Sequence, residues 1–355
     1  MVSEQPLADF ADDADLLAEV TKLRRKVGKQ QADLQIGRQL ERDLTKEREH
    51  LRLRLTTYEA AAATDPPKWV TPRKPRKTAA TAVALLSDCH WDEIVDPAEV
   101  PSNAYNRDIA EKRLRRFCDK VTRLSLEQIS GVTIDGLVLM LGGDLVSGSL
   151  HDLAEHNETP YGPVTVAHWS AQLAAAIDNL AAAFPKLHVA SVVGNHGRLT
   201  MKPRTRGRAR DSWDWLLVHS ARTALQHLDN VTWQIPETHD AQVKVYDTTH
   251  LLTHGDSVTG GGGIGGIWPP IKRLQARLQV NQPHDVLVMG HWHQLTMAAS
   301  AGIIVNGSLK GFDAYARISG FSAEPAQQAW WLVTPEHGIT MQAPVLVTDR
   351  ATEGW

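Results

Sequence analysis

The sequence predicts an α/β domain preceded by a long N-terminal helix. Three observations carry that reading. From Thr81 onward, short runs of buried-strand character alternate with amphipathic helical patterns, and the later part turns strand-rich. Ahead of it, apolar residues recur at heptad spacing through a charged stretch without proline. Four of the strand runs end in short blocks of Asp, Asn and His, at the place where side chains of an α/β sheet converge on a crevice.

Residues 12 to about 60 read as one helix. Leu16, Leu23, Leu44, Leu51 and Tyr58 fall on the d positions of a heptad seam, joined by Val20, Val27, Leu34 and Leu55. Gln30, Gly37, Glu41 and Arg48 interrupt it, so the middle should be loose. A stripe this narrow suits a partner helix better than a globular core. Residues 1–61 are therefore expected to form a coiled coil that makes the protein a homo-oligomer; a solvated helix lying on its own domain is the alternative. Residues 62–80 break the pattern with Pro66, Pro67, Pro72 and Pro75 and carry the basic run Lys68, Arg73, Lys74, Arg76 and Lys77. They read as an extended linker, either solvated or touching a phosphate backbone.

Residues 81–355 form the α/β domain. Helices are expected at 106–128, 164–183, 211–228 and 270–280, each with apolar residues three to four apart. The runs AVALLS, LVLMLG, VASVV and DVLVMG read as buried strands, and further strands are expected at 243–246, 251–253, 303–306, 330–333 and 345–347.

A chain of 355 residues with 38 Lys and Arg against 41 Asp and Glu has a formal charge of −3, which exerts no global pull on nucleic acid or anionic membrane. Cys89 and Cys118 make no disulfide framework, and a reducing cytoplasm is the expected location. No apolar run approaches the ~18 residues of a membrane span. The first residues carry early acids and no apolar stretch, unlike a signal peptide.

The polar blocks are Asp88-Cys89-His90, Gly143-Asp144, Gly194-Asn195-His196, His254 and Gly290-His291-Trp292-His293. They supply hard and borderline ligands that suit a pair of divalent metal ions. An extended backbone would turn His291 and His293 to one side, since strand side chains alternate with period two. Any one block is common by chance. All five in this order resemble the calcineurin-like metallophosphoesterase superfamily, whose pattern runs D-x-H, GD, GNH-acid, H, G-H-x-H; the resemblance spans 81–348. It implies a four-layer αββα sandwich with two mixed sheets.

The resemblance also implies a dinuclear centre. One metal would take Asp88, His90, Asp144 and His293, the other Asp144, Asn195, His254 and His291, with the Asp144 carboxylate bridging. A hydroxide between the ions would attack the phosphoryl group in line. Manganese is expected, with iron or zinc as alternatives. His196 matches the family's non-ligand histidine, which stabilises developing charge or protonates the leaving oxygen. Within the family the blocks look closest to the phosphodiesterase and nuclease branch, and GNHGR with VNGSLKG is similar to phage-encoded members.

Two departures stand out. Gly197 and Arg198 follow GNH where the family usually has an acid, and Ser147 and Gly148 replace the Asp and Arg of its protein phosphatases. The carboxylate that orients the catalytic histidine is thus missing from its expected places. Arg198 reads either as a contact to a substrate phosphate oxygen or as a surface arginine. The run GGGGIGG at 260–266 lacks the P-loop pattern and reads as a lip or a turn. Asn306-Gly307-Ser308 resembles a turn of the small phosphodiesterases, whereas His151, His156 and His168 match no common metal spacing. Trp91 or Trp292 could stack on a base or be buried. The function expected is a metal-dependent phosphodiesterase or nuclease acting on a nucleic acid or nucleotide phosphodiester. The alternatives are a small-molecule phosphomonoesterase or cyclic-nucleotide phosphodiesterase, and an oligomeric metal-binding interaction protein.

Overall fold

A computed structural model describes residues 8–62, 78–150, 155–258 and 266–355. The basic residues Lys68, Arg73, Lys74, Arg76 and Lys77, His151, and residues 260–265 of the glycine run lie outside the described residues. The chain divides into two compact units, Met1–Lys74 and Pro75–Trp355.

In the first unit, helix α1 runs from Ala8 to Ala62. Its Leu, Lys, Glu, Arg and Gln content suits a helix, while Gly28 and Gly37 each cost about 1 kcal/mol relative to Ala. Leu16, Leu23, Leu34, Leu44 and Leu51 of the expected seam are all more than half exposed. Leu17, Ile36, Leu40 and Leu53 are exposed to a similar degree, so apolar surface on α1 extends beyond the seam.

The second unit alternates strands and helices. Strands β1 (Thr78–Leu86), β2 (Val132–Leu141), β3 (Leu187–Ser191) and β4 (Val231–Gln234) run parallel, and β10 (Gln327–Thr334) and β11 (Gly338–Leu346) close the other edge antiparallel. Their order is β11-β10-β1-β2-β3-β4. A second mixed sheet has the order β5-β6-β7-β9-β8, built from Ala241–Val245, Thr248–Leu252, Val286–Met289, Ile303–Val305 and Thr296–Ala298. The helices between them are α2 (Arg107–Leu126), α3 (Gly162–Ala183), α4 (Trp213–Ala224) and α5 (Trp268–Asn281).

The period-two alternation of strand side chains sorts these elements into layers. On β1, Ala80, Ala82, Ala84 and Leu86 pack with Leu114 and Phe117 of α2, Trp169 and Leu173 of α3 and Leu217 of α4. The opposite face of β1, Val83 and Leu85, meets Val243, Leu252, Val286 and Ile304 of the second sheet. The outer face of that sheet, through Leu251, Leu287 and Ile303, covers Ile271 and Leu274 of α5. Helices, sheet, sheet and helix thus stack in four layers. Trp330 and Trp331 show the same alternation on β10, one in each of the first two cores.

Several boundaries differ from the sequence expectation for local reasons. β1 starts at Thr78, within the expected linker, because Thr78 pairs with Val132. α4 starts at Trp213, since Ser212 is extended and caps it by accepting from the Asp214 N–H. α5 begins at Trp268, with proline in its first turn where no amide partner is needed. The short strands β4 and β8 have too few residues for a period to stand out.

Candidate metal centre

Strands β1, β2 and β3 of one sheet and β6 and β7 of the other end on the same side, and the polar blocks follow those ends. Asp88, His90 and His293 form one group whose ligand atoms all lie within 4.8 Å of one another; Asp144, His254 and His291 form a second. His90, Asp144 and His196 make a third group that joins them. In the first group the Nε2 atoms of His90 and His293 face each other at 3.1 Å, and Asp88 Oδ1 lies 3.4 Å from His293 Nε2. In the second, His254 Nε2 is 2.9 Å from Asp144 Oδ2 and 3.1 Å from Asn195 Oδ1.

These separations fit metal coordination. Two donors each ~2.1 Å from one ion, at angles between octahedral and tetrahedral, stand about 3.0–3.4 Å apart. Imidazole and carboxylate donors of this mixture suit Mn, Fe or Zn. The donor set therefore fits two divalent ions.

His254 is held from behind, which directs its Nε2 inward. His254 Nδ1 lies 2.9 Å from the Gly142 carbonyl oxygen. His90 Nδ1 faces Glu93 Oε2 at 3.6 Å. Glu93 in turn accepts from buried Lys310 at 2.7 Å, and Lys310 also pairs with Asp313. Asp88 accepts from the Ser87 hydroxyl and from the His291 amide at 2.8 Å. Asn306 Nδ2 then donates to Ser87 Oγ at 2.8 Å and to Gln328 Oε1 at 2.7 Å.

Charge follows burial and neighbours. Burial, helped by Lys310, holds His90 well below the usual histidine range, and burial lowers His291 to about 4. Both shifts favour the neutral form, the one that binds a metal. Burial also opposes charge on His254, but the adjacent Asp144 carboxylate outweighs it and lifts His254 to about 10. Without an ion the two form an ion pair, so metal binding must displace a proton.

The backbone is strained here. Asp88, His90, Asp144, His291 and His293 all have positive φ, at 52°, 46°, 49°, 70° and 53°. Such conformations in non-glycine residues cluster at functional sites. His291 and His293 therefore do not lie on an extended segment, as alternation alone suggested. The chain turns sharply after β7, with the Trp292 amide donating to the Gly290 carbonyl at 2.8 Å, and the two histidines enter different groups.

One buried residue escaped the sequence reading. Asp214, at the start of α4, accepts the amides of Asp144 and Gly194 on Oδ2, each at 3.0 Å, and those of Leu145 and Val146 on Oδ1 at 3.1 and 3.2 Å. It ties the GD turn to the GNH turn. Burial and the neighbouring Asp144 raise it to about 6 against the pull of these amides. A Cβ on Gly197 would stand 3.1 Å from Asp214 Oδ1. Asp214 thus fills the space beside the position where the family pattern has its acid, and the absent acid was the one available signal.

The remaining candidates resolve individually. His196 donates its amide to Asp144 Oδ1 at 2.7 Å, and its ring stands edge-on to His90 with centroids 4.6 Å apart. Among the described residues no carboxylate hydrogen-bonds to its ring. The Arg198 guanidinium donates to the carbonyls of Asn195, Thr200 and Met201. Trp91 is buried and stacked on Trp169 at 4.6 Å, while Trp292 packs partly buried against the third core. His168 lies on α3 and pairs with Glu111 at 2.9 Å, away from the centre.

No protein-family model and no curated protein matches the chain. Among solved structures, an archaeal phosphodiesterase is similar at 11% identity over 75% of this chain and 99% of its own, with a TM-score of 0.35. A hypothetical protein from Pyrococcus horikoshii OT3 is similar at 14% identity, 77% and 91% coverage and a TM-score of 0.38. Vacuolar protein sorting 29 from Cryptosporidium parvum gives 12% identity, 75% and 97% coverage and a TM-score of 0.33.

Proposed function

We propose that the chain is a dinuclear metal-dependent phosphoesterase, and specifically a phosphodiesterase or nuclease acting on nucleic acid or nucleotide phosphodiesters. The observation that supports this is the sharing of Asp144: it belongs to the group of His254 and His291 and also to one with His90, which in turn belongs to the group of Asp88 and His293. A pair of divalent ions bound there supplies neutralisation of the phosphoryl oxygens and activation of water, with Mn the first choice. Asp88, His90, Asp144 and His293 would hold one ion, and Asp144, Asn195, His254 and His291 the other. His196, beside both groups, gives a proton to the departing oxygen. Arg198 braces the Asn195 turn from behind in this reading, in place of a direct contact to substrate. The exposed leucines of α1 support self-association through a coiled coil. Free, buried Cys89 and Cys118 suit work in the cytoplasm.

The test is turnover with Mn²⁺ of a bis-aryl phosphate, an aryl monophosphate and DNA, in the wild type and in His196→Ala. Metal-dependent diester cleavage is expected. His196→Ala should keep its metals and lose roughly 10²–10⁴-fold in rate on poor leaving groups, and less on good ones. A monoester preference would favour the phosphomonoesterase alternative. Metal binding without any turnover would favour the interaction protein.

A further inference from the structure

Between the turn bearing Asn195 and His196 and helix α4, residues 199–211 read LTMKPRTRGRARD. Lys202, Arg204, Arg206, Arg208 and Arg210 occupy every second position, and Asp211 is the single acid, so the segment carries a charge of +4 in a chain of net −3. Its two ends are fastened together at the centre. The Leu199 amide donates to the Asp211 carbonyl at 3.0 Å, the Trp213 amide to the Gly197 carbonyl at 2.8 Å, and the Thr200 hydroxyl to Asp211 Oδ2 at 3.1 Å. The segment is therefore a loop rooted directly beside Asn195 and His196, with its cations beyond the root.

Those cations are differently employed. Arg208 turns inward to pair with Asp256, two residues beyond His254, and lines a cavity of about 230 Å³ with Val193, His239 and His254. Arg204 pairs with Asp211, and Arg210 with Glu237, but both arginines are more than half exposed. Exposed pairs of this kind hold by only ~0–1 kcal/mol and can be exchanged for another anion. Lys202 and Arg206 are exposed and pair with no acid among the described residues.

A single phosphate at the metal centre needs none of this. A loop carrying five cations and rooted beside the centre matches a substrate whose negative charge continues beyond the scissile bond. We propose that residues 202–210 form a cradle for a nucleic-acid backbone, and hence that the substrate is a polynucleotide and not a small nucleotide. This rests on the phosphodiesterase reading and narrows it. The inward Arg208 joins the cradle to the cavity beside His254, while the outer four cations hold flanking phosphates.

The test uses the full chain with fluorescent single-stranded DNA, with duplex DNA and RNA as parallel arms, in EDTA for binding and with Mn²⁺ for turnover of bis-aryl phosphate. Binding is followed by anisotropy from 50 to 200 mM salt. One variant is Lys202→Gln/Arg206→Gln, which breaks no ion pair; the other adds Arg204→Gln and Arg210→Gln. Each phosphate that is no longer neutralised should flatten the log–log salt slope by about 0.7 for single strands and 0.9 for duplex. The double variant should thus lose roughly 1.4–1.8 in slope and the quadruple variant more, with bis-aryl phosphate turnover within about twofold of wild type. An unchanged slope and affinity in the quadruple variant, with diester turnover intact, overturns the cradle and leaves the phosphodiesterase reading standing. A flattened slope in a protein that turns over no diester upholds the cradle and sinks the phosphodiesterase reading.

Discussion

The two candidate metal groups are built on different supports. The Asp88, His90 and His293 group is held by side chains: Ser87, Asn306 and Gln328 behind Asp88, and Glu93, Lys310 and Asp313 behind His90. The Asp144, His254 and His291 group leans on backbone. Gly142 supplies a carbonyl to His254, and the turns bearing Asp144 and Asn195 are clamped through their amides by Asp214. Polar side chains can be exchanged one at a time, whereas a clamp on four amides fails as a whole. The first group should therefore be tunable, and the second brittle.

The largest effect tests what the groups share. Asp144→Asn should abolish tight binding of both ions and lower turnover beyond the roughly 10–100-fold that loss of a supporting residue costs. Calorimetric metal titration and diester assays decide it; retention of one tight site would mean that the groups are independent.

Next comes the clamp. Asp214→Ala strands four buried amides, each worth ~1–3 kcal/mol when left unmet, so stability should fall by about 3 kcal/mol or more. Affinity for both ions should fall with it, and more for the second, which also depends on the clamped turn bearing Asn195. Chemical denaturation and metal titration read the two separately, and equal weakening of both ions would erase the contrast between the groups.

The smallest effect falls on the first group. Glu93→Gln keeps an oxygen near Lys310, and Asp313 still pairs with that lysine. Affinity for the first ion should drop about tenfold, the lower end for a supporting partner, with the second ion unaffected. A loss matching that of Asp214→Ala would show the first group to be equally brittle.

The same contrast explains what could be read from sequence. Asp88, His90, Asp144, Asn195, His196, His254, His291 and His293 lie just past strand ends, where a short pattern and a strand period are local information. Their supports are not local. Glu93 meets Lys310 across 217 positions, and Gln328 meets Ser87 across 241. Asp214 sits among α4 residues whose pattern reads as ordinary helix. The layering was legible because buried strands and amphipathic helices announce themselves, but β4 and β8 needed the neighbouring strands to define them. The turn at His291–His293 misled because period-two reasoning holds only for an extended backbone.

The left-handed backbone at Asp88, His90, Asp144, His291 and His293 has a thermodynamic consequence. Asp and His tolerate this region better than most residues. At the low end of about 1 kcal/mol each, the five together cost several kcal/mol, a sizeable share of an ordinary domain's net stability. Glycine would relieve that strain and delete the ligand, so no substitution keeps the donors and relaxes the turns. The folded chain is then held taut around its ligands, and ions that bind only this form add RT ln(1 + [L]/Kd), about 2.7 kcal/mol at a hundredfold excess over Kd. Divalent ions bound at these residues would then couple loading to folding, adding stability in proportion to the logarithm of their concentration.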